Sequence, residues 1–284
     1  MQLADDHKVF LPRTVNDCLN ILKRRPEAKI AAGATILSLM EPQELEDHEI
    51  ISLHYIEELK RVFWSDRSVD IGSMVSLEKL LDLDDRIIPQ GLREGTGMVA
   101  DPQVRSLATV GGNIMASTRY LSLLSIMQTY DARFELRRSN GNRWIPAARF
   151  FSSSGEPDLE QDEIITRIRI PLGRWNRQKV LRLEISNNPK QGEFMFCAAA
   201  GVQSQSIEDL RTSYAFPGAL ILQPREQNAM VIGKNLPLQE KLISQYQEEL
   251  IESLGLPAEY NTGFITNRIM KISGLFLRSL GRRV

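Results

Sequence analysis

Two short runs of small residues are where this chain could bring bare backbone against a charged ligand. The first is Ala31-Ala32-Gly33-Ala34-Thr35, placed directly after a predicted strand. The second is Ala108-Thr109-Val110-Gly111-Gly112-Asn113-Ile114, placed just before a predicted helix. Small side chains let main-chain N–H groups approach an anion closely, and a concave row of them holds phosphate without a lysine. In the second run a hydroxyl and an amide add groups suited to a ribose or a phosphate. Taken singly, each run is equally an ordinary tight turn, because Gly and Asn occupy turns for conformational reasons alone.

Other chemistry is set aside by the residues present. There is no Walker loop, no HExxH and no serine elbow. Gly95, Gly97 and Ala100 fit the skeleton GxGxxA, but they follow a helical stretch and Pro102 bars a long helix directly behind them. A dinucleotide fingerprint needs a strand before and a helix after. The 2 cysteines, Cys18 and Cys197, are too few for a disulfide framework and point to a reducing compartment. An iron–sulfur cluster takes about four thiolates. His7, His48 and His54 lack metal-site spacing. With 35 basic and 36 acidic residues, the net charge of -1 suggests neither a nucleic-acid nor a membrane-surface partner. The opening MQLADDHKVF is not a secretion signal, and the apolar run 272–277 is too short to span a bilayer. A cytoplasmic protein is expected.

The elements that must carry the two turns are legible from periodicity. Thr14 reads as an N-cap, with Val15, Cys18, Leu19 and Leu22 at helical spacing and Pro26 beyond the end. Strands are expected at 29–32 and 49–53, and alternation of helix with strand argues for parallel pairing in a small first lobe. A hairpin is expected around Ser65-Asp66-Arg67, helices at 77–83, 92–99 and about 117–130, and a strand at 134–136. Asn140-Gly141 then marks a hairpin turn. Residues 152–162 are polar and read as a surface loop. Residues 164–170 alternate Ile with Arg, the pattern of a half-buried strand. Farther on, strands are expected at 179–185 and 194–202, then helices at 239–254 and 263–280, the last with an apolar stripe of core type.

The order of these pieces carries a resemblance. QVRSLATVGGNI, then a helix, YDARFEL, IPAARFF and DEIITRIRIP resemble the FAD-binding domain of the molybdenum hydroxylases. That family includes xanthine dehydrogenases, carbon monoxide dehydrogenase and hydroxybenzoyl-CoA reductases. Its members carry an AGGTD-like turn, a TIGGNI-like turn, an LDA-like strand start and an EI…I.IP strand. Order and spacing agree from Ala28 to Pro171, and the lysine-bearing strand and helical end look like the family's third lobe.

The resemblance implies an α/β protein of mixed α+β character. A two-lobed PCMH-type FAD-binding domain (1–57 and 58–173) would precede a small α+β C-terminal domain (174–284). FAD would lie extended between the first two lobes, its ring toward the third. Carried over, the cofactor-binding residues are Ala32, Gly33, Ala34, Thr35, Ile36 and Leu37 of the first turn, and Thr109, Gly111, Gly112 and Asn113 of the second. Ser122, Ile165 and Lys179 complete the set. The chain departs from the pattern in places. Ala34 stands where glycine is usual, which is strained if φ is positive. Ile36 replaces a polar residue, Ser122 an aspartate and Arg119 a proline, and residues 152–155 lack a GYR-like sequence.

The implied function is that of a flavoprotein oxidoreductase subunit in a heterotrimer, and no side chain here is expected to be a catalytic acid or base. Substrate would be oxidised at a molybdenum cofactor in a molybdopterin-binding large subunit. Electrons would pass through 2Fe-2S clusters of an iron–sulfur small subunit to FAD here, then to NAD or another acceptor. Two other readings remain at this point: a flavin-poor docking scaffold of the same kind of complex, and a free-standing flavin oxidase or reductase.

Overall fold

A computed structural model describes residues 9–41, 48–84, 86–118, 123–152, 154–173, 175–188 and 192–282. The strands are β1 (Val9–Phe10), β2 (Lys29–Ala31), β3 (Ile50–Ser52), β4 (Val62–Trp64), β5 (Ser68–Gly72), β6 (Arg133–Arg138), β7 (Gly141–Pro146), β8 (Ile164–Pro171), β9 (Arg177–Glu184), β10 (Glu193–Gln203), β11 (Ser206–Phe216) and β12 (Leu220–Leu222). The helices are α1 (Val15–Arg24), α2 (Leu77–Leu81), α3 (Gln90–Gly97), α4 (Pro102–Leu107), α5 (Val110–Met115), α6 (Leu124–Thr129), α7 (Arg225–Val231), α8 (Glu240–Leu254) and α9 (Gly263–Ser279). Mixed helix and sheet is the class expected. The chain divides into two compact units: residues 1–88, 99–116 and 131–171 form the first, and residues 89–98, 117–130 and 172–284 the second.

In the first unit, Thr14 Oγ1 accepts the Asp17 N–H at 3.1 Å and starts α1. The helix buries Val15, Cys18, Leu19 and Leu22 against Ile51, Leu53 and Ile56. Beneath it lie β1, β3 and β2 in that order, parallel throughout, as the alternating pattern implied. A second sheet, ordered β4-β5-β8-β6-β7, is antiparallel throughout. Its β6–β7 hairpin pairs Arg138 with Gly141, leaving Ser139-Asn140 as the loop. In β8 the alternation works as expected: Ile168 and Ile170 are fully buried. Arg169, on the other face, forks onto Asp70 at 2.7 Å and lies over the Trp144 ring. One dry face and one charged face is the usual arrangement of an antiparallel sheet.

The chain between α3 and α6 is where the structure departs from the periodicity. Asp101-Pro102 was expected to end a helix over 92–99; that helix stops earlier, at Gly97, and Asp101-Pro102 instead starts another. Asp101 accepts the Val104 N–H at 2.9 Å, and Pro102 occupies the first helical turn, where its missing N–H costs nothing. The glycine run is not a turn ahead of a helix from 117. It is itself α5, capped by Thr109. Of the helix expected over 117–130, the described residues form a 3-10 turn at Ala116–Thr118 and then α6. Residues 119–122 lie outside the described part.

The second unit is built on an antiparallel sheet ordered β12-β11-β10-β9. Phe194, Phe196, Tyr214 and Phe216 on one face meet Ile243, Tyr246, Ile265, Ile269 and Phe276 from α8 and α9. On the other face, Thr129 of α6 and Ser213 share a hydrogen bond of 2.8 Å. The edge strand β9 carries Gln178, whose side-chain oxygen accepts the Gly91 N–H of α3 at 2.9 Å and the Tyr130 hydroxyl. Both long helices fall where the periodicity put them. The strands β11 and β12 and the helix α7 were not anticipated. From Leu210 to Phe216 nearly every residue is buried, so the period-2 signal is erased.

Cys18 and Cys197 are both fully buried, and burial pushes each thiol up to about 12. Thiolate is the reactive form. Neither cysteine is expected to react with a thiol reagent in the native protein at mildly alkaline pH, and both should react in denaturant. Rapid native labelling of either would contradict this packing. Among the described residues no helix is long and apolar enough to cross a membrane, and no group of side chains has the makings of a metal site.

Candidate cofactor-binding site

The first glycine turn begins where β2 stops. The Ala31 carbonyl accepts the Leu53 N–H at 2.8 Å, the last bond of that edge. Ala34 then takes a left-handed conformation, φ +57°, while Ile36 is right-handed at φ -84° and ψ -39°. The Ala34 carbonyl accepts the Ser38 N–H at 2.9 Å, the Ser38 hydroxyl donates to the Thr35 carbonyl at 3.0 Å, and a 3-10 turn follows at Leu37–Leu39. Among the described residues, no protein acceptor takes the N–H groups of Gly33, Ala34, Thr35 or Ile36. Gly33, Thr35 and Ile36 are half-buried. Backbone donors are normally paired. A left-handed residue set among residues of the opposite hand turns successive N–H groups into one concavity, a nest for an anion.

The second run is different. Thr109 Oγ1 accepts the Gly112 N–H at 3.1 Å, and the Thr109 carbonyl accepts the Asn113 N–H at 2.8 Å. Val110 N–H donates to the Val75 carbonyl at 2.9 Å and Gly111 N–H to the Ser73 carbonyl at 2.8 Å. The sequence suggested that both runs offer free donors. Here the N–H groups of Val110, Gly111 and Gly112 are already used by the protein, so this segment serves as a wall of small residues.

Gly33 brings the two runs together. A Cβ on Gly33 would fall 1.8 Å from the Leu107 carbonyl oxygen and 3.2 Å from the Ala108 Cα. Bare backbone at Gly33 therefore lies on the chain that leads into Thr109. A Cβ on Gly112 would stand 3.8 Å from the Ala32 Cβ, and one on Gly111 only 2.9 Å from the Ser73 Cβ.

The anchor behind this contact is a residue that sequence reasoning passed over. Arg105 of α4 is 9% exposed, donates from Nε to Glu78 Oε2 at 2.9 Å, and from Nη1 to the carbonyls of Val99 at 3.2 Å and Ala100 at 2.9 Å. It ties α4 to α2 and so fixes the Leu107 carbonyl that Gly33 meets. Its place inside QVRSL was the available signal, but one arginine on a short helix reads as a solvated cation.

The remaining expected residues are placed as follows. Asn113 is half-buried on α5. Ile165 is 6% exposed on β8, the strand beside which α5 packs. Lys179 belongs to the second unit, exposed on β9 and paired across the sheet with Ala198. Ser122 lies outside the described residues.

The left-handed Ala34 leads to a direct test. An L-residue with a Cβ pays roughly 1–2 kcal/mol for that conformation, partly offset by the greater unfolded-state entropy of glycine. Ala34→Gly is expected to raise stability by about 0.5–1 kcal/mol and to leave the nest intact. Thermal melts of the two proteins decide it. A lower midpoint for the variant would mean that the turn is not left-handed at this position.

Comparisons with known proteins identify the family of the chain. Residues 5–173 match the family described as FAD binding domain in molybdopterin dehydrogenase. The chain is similar to the xanthine dehydrogenase FAD-binding subunit of Escherichia coli O157:H7, 27% identical over 256 residues, covering 85% of this chain and 84% of that one. It is similar also to the carbon monoxide dehydrogenase medium chain of Hydrogenophaga pseudoflava, 29% identical over 164 residues, 56% of this chain and 57% of that one. Among solved structures, carbon monoxide dehydrogenase from Hydrogenophaga pseudoflava superposes with a TM-score of 0.79 at 20% identity, covering 98% of this chain and 96% of that one. That likeness shows a shared fold. The family match spans more than half of the chain and includes both glycine runs, and the chain therefore belongs to the FAD-binding domain family of the molybdopterin dehydrogenases.

Proposed function

We propose that this chain is the electron outlet of a molybdenum hydroxylase complex, holding FAD on the two glycine runs and passing electrons from partner-subunit iron–sulfur clusters to NAD or another acceptor. The observation that carries the reading is the row of N–H groups from Gly33 to Ile36 that have no acceptor among the described residues, held in place by Gly33 on the Leu107 carbonyl. FAD suits that row, because its pyrophosphate is anionic and its oxygens accept hydrogen bonds. Ala32 and Gly112 leave room for close approach, while Thr109 and Asn113 edge the same wall. Ile165 is proposed to stand near the flavin, while Ser122 and Lys179 are carried as cofactor-binding residues, and the lobes 1–57, 58–173 and 174–284 as domains, on the resemblance alone.

When bound, FAD supplies the redox chemistry, and the protein's part is to hold and orient it and to tune its surroundings. The backbone donors would hydrogen-bond the diphosphate oxygens, and the small residues would keep bulk out of the cradle. The 2 cysteines of this chain are too few to ligate an iron–sulfur cluster, so the clusters and the molybdenum cofactor are assigned to an iron–sulfur small subunit and a molybdopterin-binding large subunit. A cytoplasmic heterotrimer is the setting proposed.

The test is an absorption spectrum of the purified chain before and after incubation with FAD and desalting. Retained bands near about 450 nm and 370 nm, the flavin's own chromophore, support the reading. A chain that stays colourless, yet still associates with partner subunits, would replace it with a docking scaffold.

A further inference from the structure

We infer that Ser73 is a further hydrogen-bonding residue of the cradle, its hydroxyl donating to an acceptor atom of the bound FAD. The inference rests on the cofactor reading proposed above and adds to it a side chain from a different part of the sequence. Ser73 directly follows β5 and is 3% exposed. Its backbone is fully engaged, the N–H donating to the Thr166 carbonyl at 3.1 Å and the carbonyl accepting the Gly111 N–H at 2.8 Å. Its hydroxyl is not engaged. Among the described residues, Ser73 Oγ is one of two buried side-chain polar atoms without a hydrogen-bond partner, the other being Arg177 Nε in the second unit.

A buried hydroxyl with nothing to bond destabilises a fold, and alanine would pack equally well in its place. The position of this orphan says what it is for. The Ser73 Cβ is aimed at Gly111, where an added Cβ would lie 2.9 Å away, and the next residue, Gly112, borders Ala32 of the nest. Nearby carbonyls each accept a backbone N–H, that of Gly72 from Val75 at 3.0 Å and that of Val75 from Val110 at 2.9 Å, and neither accepts from the Ser73 hydroxyl. Rotation about a single χ1 bond swings the hydroxyl among three staggered positions. FAD offers phosphoryl, hydroxyl and ring oxygens as acceptors, and a serine hydroxyl can donate to any of them.

The experiment uses the full chain freed of flavin, as wild type and as Ser73→Ala, with FAD as the probe. Two quantities are read on each protein: the FAD dissociation constant by fluorescence titration, and the thermal midpoint of the flavin-free form. The expected result is FAD binding weakened about three- to tenfold with a flavin-free midpoint equal to or above wild type. A dissociation constant unchanged within error overturns the inference. So does a lower flavin-free midpoint or failure to fold, because the hydroxyl would then have a partner within the protein. Wild-type protein that takes up no FAD sinks the cofactor reading itself, a result distinct from equal binding by the two proteins.

Discussion

Gly33→Ala is expected to lower stability by about 3 kcal/mol or more and to weaken FAD uptake at least tenfold. The added Cβ would sit 1.8 Å from the Leu107 carbonyl oxygen and 2.7 Å from its carbon. These are backbone atoms of a segment held by Arg105, so no side chain can swing aside. The turn has to lift away from α4, and the N–H groups of residues 33–36 lose their common direction. Stability and cofactor affinity therefore fall together. Gly97→Ala is the control, since nothing lies within 4 Å of its added Cβ, and alanine at a helical position is neutral to slightly stabilising. Denaturant melts and FAD titrations of both variants test the claim. Wild-type behaviour in Gly33→Ala would show that the two runs do not touch.

Arg143→Ala carries the second large effect. Arg143 forks onto Glu163 at 2.9 and 2.8 Å and also reaches the Asp158 side chain at 2.9 Å and its carbonyl at 3.0 Å, closing the loop before β8. The Glu163 side chain is only 2% exposed. Without Arg143 it keeps only the Glu160 N–H among the bonds described here, at 3.1 Å. Leaving a buried carboxylate so poorly matched is expected to cost about 2–3 kcal/mol. The pH dependence identifies the cause. The hydrogen bonds from Arg143, opposed by burial and aided by the Glu160 N–H, hold the Glu163 carboxyl below its ordinary value of 4.5. A lowered folded-state pKa contributes stability that is fully present above the unfolded value and is lost as pH falls through the folded one. The gap between wild type and variant should be full at neutral pH and shrink below about pH 4.5. A gap that stays constant into acid would mean that Arg143 acts through packing and not through charge.

Several parts of this protein are written in short stretches of sequence. Thr14 followed by Val15, Cys18, Leu19 and Leu22 is enough to specify α1, since a cap and a helical stripe are local features. The Ile-Arg alternation of β8 and the hairpin signal near Asn140 are equally local, and both appear in the fold. Each glycine run alone reads as an ordinary turn, and it is their order with YDARFEL, IPAARFF and DEIITRIRIP that points to the family. The left-handed φ of Ala34 was not legible, because the residue type disfavours it and only the path of the surrounding chain imposes it.

What the tertiary structure alone decided are the relations between distant segments. No local pattern tells that the Gly33 backbone rests on the Leu107 carbonyl, or that Ser73 and Val75 use up the donors of Gly111 and Val110. The first became the open nest and the second a closed wall, although both look alike in sequence. Likewise β11 is buried on two sides, between α8 and α9 on one and α6 on the other, which removes the alternation that reveals a strand. Helical stripes and turn residues are set by neighbours a few positions away. Whether a backbone donor is free, and whether a face is covered, depends on chain that returns from far along the sequence, and only the folded arrangement settles it.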